Sequence, residues 1–133
     1  AIEDARQICI MTHAPEKYWD YISTFNTKCY PVWKNETQLV ACQEDVTDEL
    51  GITGTVTQCA GGSEGFELLR TDASAVKSAG ITSSPTIMIN GQKYTGSRTS
   101  ESIKQAICNH FDVAPDACTT ILSSQAAAAS GSC

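Results

Sequence analysis

The sequence predicts a helix-rich α/β fold with a single β-hairpin. Three observations carry this. Thr86-Ile87-Met88-Ile89 is a short β-branched, apolar run that ends in Asn90-Gly91, the preferred two-residue type I′ turn because both positions need φ > 0. Elsewhere apolar residues recur at helical spacing between capping residues and glycines. Seven cysteines are spread over 133 residues with no Cys-x-x-Cys pair, the pattern of a disulfide framework rather than of a zinc module.

In chain order, residues 4–13 (Asp4-Ala5-Arg6-Gln7-Ile8-Cys9-Ile10-Met11 and on) read equally as a strand or a helix end, since a short apolar run fits both. Pro15 opens a helix over 15–28, with Tyr18, Trp19, Ile22 and Phe25 as an apolar, core-packing face. Cys29-Tyr30-Pro31-Val32-Trp33 is a proline-broken connector. Asn35 caps the next helix, Gln38 completes a capping-box variant, Leu39, Cys42, Val46 and Leu50 make its stripe, and Gly51 stops it. Asp45, Asp48 and Glu49 stand late in that helix, where the dipole disfavours them, so they are either solvated or offset by a basic neighbour. Gly54 to Ala60 gives one short helical turn. Ser63 caps a helix with the stripe Phe66, Leu69, Ala73 and Val76, with a kink or division at Thr71-Asp72 and a close at Gly80. Then comes the hairpin, with Pro85 at its mouth because proline cannot donate to a ladder. Thr99 caps a last helix whose face is Ile103, Ala106, Ile107 and Phe111. Residues 1–122 form one domain. Residues 123–133, rich in Ala, Ser and Gly and ending in Cys133, form a mobile tail. A lone hairpin is marginal without more strands, so the sheet reads as incomplete, short of a strand from residues 5–12, from an upstream segment or from a partner.

A formal net charge of −6 and a pI near 4.7 argue against nucleic acid or an anionic membrane as partner. No apolar run approaches the ~18 residues of a membrane span. Cys9, Cys29, Cys42, Cys59, Cys108, Cys118 and Cys133 are candidates for structural disulfides in an oxidising compartment, secreted or otherwise extracytoplasmic; buried free thiols in a cytosolic protein are the alternative. Once the odd cysteine is chosen, six pair in about 15 ways. Cys108 and Cys118, ten apart, are the easiest local pair. Asn35-Glu36-Thr37 is an N-glycosylation sequon, which makes Asn35 a glycosylation candidate.

The run Gly80-Ile81-Thr82-Ser83-Ser84-Pro85-Thr86-Ile87-Met88-Ile89-Asn90-Gly91-Gln92-Lys93-Tyr94-Thr95-Gly96, followed by Thr99 to Cys108, resembles the C-terminal half of thioredoxin-fold disulfide oxidoreductases. The resemblance implies a cis proline at Pro85 and a peptide-binding loop at Ser84 and Pro85. A wider resemblance rests on Arg6-Gln7-Ile8-Cys9, Tyr18-Trp19-Asp20-Tyr21, Phe25, Cys29, Cys42, Gly51-Ile52, Cys59, Cys108, Cys118 and Cys133. These residues resemble the central luminal region of plant vacuolar sorting receptors and, equally, related thioredoxin-like proteins of archaea and bacteria. This implies a thioredoxin-like domain with helices inserted between its halves, outside the cytosol. In redox-active relatives a cysteine pair sits at a helix N-terminus after the first strand, where the dipole favours the thiolate. On the resemblance that segment would precede Ala1.

No other chemistry is signalled. Ser83 and Ser84 lack a Gly-x-Ser-x-Gly elbow, the glycines match no phosphate-binding signature, and His13 and His110 read as surface or satisfied residues. No catalytic residue, cofactor or metal is assigned. The sequence points to a non-catalytic module that binds an extended peptide or protein at Ser84 and Pro85. Two alternatives stand beside it. One is part of a thiol–disulfide oxidoreductase whose reactive cysteines lie upstream. The other is a secreted structural subunit that self-associates or cross-links through its odd cysteine.

Overall fold

The computed structural model describes residues 2–125. The chain divides into two compact units, residues 1–80 and 81–133. The first holds five α-helices: α1 (Ile2–His13), α2 (Tyr18–Lys28), α3 (Glu36–Glu49), α4 (Thr53–Ala60) and α5 (Ser63–Ser78). Short 3₁₀ turns at Pro15–Lys17 and Tyr30–Val32 link α1 to α2 and α2 to α3. Residues 5–12 are therefore helix and supply no strand. Ala5, Arg6, Cys9 and Ile10 are buried while Met11 is exposed, an i, i+4 pattern that the unbroken run Ile8 to Met11 obscures.

α1 packs against α4 and α5, and α2 against α3. Between them lies a core of Ile10, Ala14, Tyr21, Cys29, Val46, Ile52 and Val56, with Tyr18, Ile22, Phe25, Leu39, Cys42 and Leu50 packed onto it. Trp19 does not share that face and is 75% exposed. It sits two residues, roughly 200° around the helix, from the fully buried Tyr21. The rings of Tyr21 and Phe25 stack at 5.9 Å.

Asn35 caps α3 as its type predicts, Oδ1 accepting the Gln38 N–H at 3.1 Å. The Asn35 N–H donates to the Val32 carbonyl instead of to Gln38, so the second arm of a capping box is not used. Late in α3, Glu49 meets Lys28 Nζ at 2.6 Å, the basic neighbour the helix dipole calls for, and Asp48 accepts from Thr53 Oγ1. α4 runs eight residues rather than a single turn. Ser63 is the first residue of α5 and Gly62 its cap, with no side-chain bond. α5 is continuous through Thr71, whose hydroxyl donates to the Glu67 carbonyl. Its predicted apolar stripe is largely uncovered: Phe66 is 65% and Val76 39% exposed, and Ala73 is exposed. The buried residue of α5 is instead Gly65, near its start. A Cβ at Gly65 would lie 2.8 Å from the Cys59 carbonyl oxygen, so glycine permits the tight α4–α5 approach.

The second unit carries β1 (Met88–Ile89), β2 (Gln92–Lys93) and α6 (Ser100–Cys108). The strands are antiparallel, Met88 opposite Lys93 and Ile89 opposite Gln92. Asn90 (φ 50°) and Gly91 (φ 78°) form the turn, as the I′ geometry requires. Thr99 Oγ1 caps α6 by accepting the Ser102 N–H at 3.1 Å. Phe111 lies beyond the end of α6 and is 51% exposed, and Ile107 is 44% exposed, so the predicted apolar face is not sealed. Glu101 and Lys104 fasten the returning chain. Glu101 Oε2 accepts the Leu122 N–H at 2.7 Å, the Glu101 N–H donates to the Ser123 carbonyl at 3.1 Å, and Lys104 Nζ donates to the Thr120 carbonyl. The tail predicted to be mobile begins at this same Ser123. Residues 126–133, with Cys133, lie outside the described residues.

Among the described residues there are three disulfides: Cys9–Cys59 between α1 and α4, Cys29–Cys42 between the end of α2 and α3, and Cys108–Cys118 from the last residue of α6 to the segment after it. Among the described residues no helix is long and apolar enough to cross a membrane.

Candidate functional site

The predicted loop residues Ser84 and Pro85 lie together on the surface at the entrance to β1, with Ser83 beside them, all three exposed. The Ser84–Pro85 peptide bond is cis. The loop is held from both ends. Thr86 Oγ1 donates to the Ser83 carbonyl at 2.5 Å, and Arg98 Nη2 donates to the Pro85 carbonyl at 2.8 Å. The Tyr94 N–H extends the ladder to the Ile87 carbonyl at 2.9 Å. Ser84 itself makes no hydrogen bond among the described residues.

Two strands make up this sheet, so among the described residues each strand keeps one edge without a neighbouring strand. A free edge offers a row of backbone donors and acceptors to an extended chain. On the same unit, an open cavity of about 230 Å³ is lined by Ile89, Gln92, Lys93, Tyr94, Ala106 and His110 among others, a mixed apolar and polar surface suited to a side chain.

The cysteines are used differently from a redox pair. The six among the described residues are all bonded to one another, and Cys9, Cys29 and Cys59 are at most 2% exposed. Asn35 is exposed, with its Oδ1 engaged as a helix cap.

Two groupings were not foreseen. Glu3, partly buried, accepts hydrogen bonds from Tyr21 OH (3.0 and 3.1 Å), Gln43 Nε2 (2.6 Å) and Gln7 Nε2 (2.9 Å), with Arg6 Nε at 3.7 Å. Burial pushes the Glu3 carboxyl above the usual range, and the donors together with Arg6 oppose it. Burial, and after it the Glu3 charge, also pushes the Tyr21 phenol up. Hydrophobic periodicity is blind to such a cluster because its members are polar. The second grouping is His13, Cys59 and Glu64, whose nitrogen, sulfur and carboxylate oxygen lie within 4.8 Å of one another. His13 Nε2 is 2.9 Å from Glu64 Oε1, the satisfied surface position predicted for it. The available signal was Cys9 and His13 at i and i+4, one face of α1.

Comparison with known proteins gives one consistent result. The family model for the vacuolar sorting receptor thioredoxin-like domain matches residues 1–108. Vacuolar-sorting receptor 5 of Arabidopsis thaliana is 30% identical over 122 residues, covering 82% of this chain and 19% of the receptor. Vacuolar-sorting receptor 4 of Arabidopsis thaliana is 27% identical over 124 residues, 84% of this chain and 19% of the receptor. Vacuolar-sorting receptor 1 of Pisum sativum is 26% identical over 128 residues, 86% of this chain and 20% of the receptor. The chain thus spans about a fifth of the length of these relatives. No solved structure matches it.

Proposed function

This chain belongs to the family of vacuolar sorting receptor thioredoxin-like domains, and from that membership we propose that it binds an extended peptide or protein segment, without catalysis, at the loop of Ser84 and Pro85. The observation that supports this is the state of Ser84, which is exposed and without a hydrogen bond among the described residues while its neighbours Ser83 and Pro85 are tied down. A fixed loop whose Ser84 N–H and Ser84 C=O are both uncommitted presents a donor and an acceptor at low ordering cost. The chain entering β1 can then continue the pairing along the strand edge. The match to the family runs across both units, from residue 1 to 108, which supports taking residues 1–122 as one module. Three disulfides and receptor relatives point to an extracytoplasmic or luminal setting. Within it we place the chain as a disulfide-stabilised binding module of a secreted or receptor-type protein.

The test uses peptides selected from a random library for binding to the full chain. Fluorescence anisotropy then compares wild type with Pro85→Ala and with Arg98→Ala, which frees the Pro85 carbonyl. Each substitution should weaken binding by roughly tenfold, equivalent to about 1.4 kcal/mol. Equal affinity in wild type and both variants would remove the loop from the binding site.

A further inference from the structure

The grouping of His13, Cys59 and Glu64 belongs to the first unit and shares no residue with the loop of Ser84 and Pro85. We infer that reduction of the Cys9–Cys59 disulfide converts this corner of the first unit into a zinc site.

The donor set is mixed nitrogen, sulfur and carboxylate, all of which zinc accepts in tetrahedral geometry. His13 comes from the last turn of α1, Cys59 from the last turn of α4 and Glu64 from the first turn of α5. Their ligand atoms lie within 4.8 Å of one another. Ligand atoms of a tetrahedral zinc stand roughly 3.3–3.8 Å apart at ordinary bond lengths, so a contraction of about 1 Å suffices. Cys9 is one helical turn before His13 and bonded to Cys59; its sulfur lies outside the three ligand atoms grouped within 4.8 Å, and it moves toward them as the fourth ligand once the S–S bond is open. Gly65 lets α5 approach α4 closely enough to set Glu64 beside Cys59. An open cavity of about 610 Å³, lined by His13, Gly54, Thr55, Gln58, Cys59 and Glu64, gives an ion a route in.

In the oxidised chain both sulfurs are spent on each other, and a neutral disulfide sulfur is a poor ligand. His13 and Glu64 alone then hold a cation weakly. A phosphine reductant breaks the S–S bond: phosphorus is oxidised to the phosphine oxide by taking the oxygen of a water, and that water's two protons go to the two sulfurs. Zinc binding displaces both protons, since the ligands are thiolates. Exchange with a small-molecule disulfide, which takes up the two electrons and leaves as two thiols, re-forms the Cys9–Cys59 bond and ejects the metal. The site therefore reads redox state as metal occupancy.

The experiment is a Zn²⁺ titration of the full chain against a chromogenic chelator, before and after phosphine reduction, with far-UV circular dichroism recorded on the same samples. Co²⁺ substitution supplies a thiolate charge-transfer band as an independent signature. Reduced wild type should bind Zn²⁺ at least about 100-fold more tightly than oxidised protein. His13→Ala and Glu64→Gln, each retaining every thiol, should lose at least about tenfold. Reduction also frees the other cysteines, and the two variants separate their binding from this site. If both variants bind as tightly as reduced wild type, the metal is held by unrelated thiols and the inference fails. If oxidised protein binds as tightly as reduced protein, the redox gate fails.

Discussion

In the first unit Ile10, Tyr21 and Val46 are fully buried, and Cys9, Cys29 and Cys59 lie in the same interior. In the second unit Thr99 alone among the described residues is buried, and the chain is fastened by a hairpin, one disulfide and the hydrogen bonds of Glu101 and Lys104. On the proposed function, the two halves divide the requirements of a binding module. A helical core supplies stability through removed apolar area, whereas a sheet edge that is to receive another chain has to stay uncovered. The loop of Ser84 and Pro85 lies in the unit with the thinner interior, where backbone groups remain within reach of a partner.

The largest effects should separate the units. Replacing Cys9 and Cys59 by alanine opens a cross-link spanning 50 residues, for which the chain-entropy relation gives about 4 kcal/mol, and it also empties volume in the core. The same change at Cys108 and Cys118, 10 residues apart, gives about 3 kcal/mol by that relation and little packing loss. Urea unfolding of the two double variants measures both. A larger loss from the second pair would break the contrast.

Next in size is Tyr21→Phe, which keeps the ring in the core but removes the hydroxyl that donates to Glu3. A carboxylate left short of a donor in a partly buried site destabilises by about 1–3 kcal/mol. Equilibrium unfolding of this variant, with Tyr94→Phe as the counterpart on the exposed unit, should show the smaller loss at Tyr94, whose hydroxyl donates to the Ser97 carbonyl at the surface.

The smallest effect has opposite signs in the two units. Burial raises the Glu3 pKa above 4.5, so in that window the folded chain binds a proton more readily than the unfolded one. Its contribution to stability is present below 4.5 and is lost as pH rises through the folded value. Glu101 runs the other way. The Leu122 N–H, followed by Lys104, lowers its pKa below 4.5, so its contribution is present above 4.5 and is lost as pH falls through the folded value. Urea midpoints measured against pH should show Glu3→Gln flattening the limb above 4.5 and Glu101→Gln flattening the limb below it. Parallel curves for wild type and both variants would refute the assignments.

What the sequence disclosed was local. Asn35 and Thr99 announce their caps, Asn90-Gly91 its turn, and Cys108 and Cys118 their pairing, because each depends on residues within ten positions. The Cys9–Cys59 pairing depends on how α1 meets α4, which no spacing encodes. Tyr21 was passed over for Trp19 because both are large aromatics in one helix, and only the partner helices decide which side is inside. The α5 stripe is legible as a stripe but not as covered or bare, since periodicity records amphipathicity and not whether anything packs on it. In the loop proposed to bind, the position of Pro85 at the mouth of the hairpin was legible from the run it opens, whereas the anchoring of Pro85 by Arg98, thirteen residues away, was not.

The most direct measurement is an amide-resolved NMR titration of the ¹⁵N-labelled chain with a library-selected extended peptide. Binding at the proposed site shifts Ser84, Thr86 and the amides of Met88 and Ile89, and leaves those of α1 and α5 unmoved. Shifts confined to α1 and α5, with Ser84 to Ile89 unchanged, would contradict it.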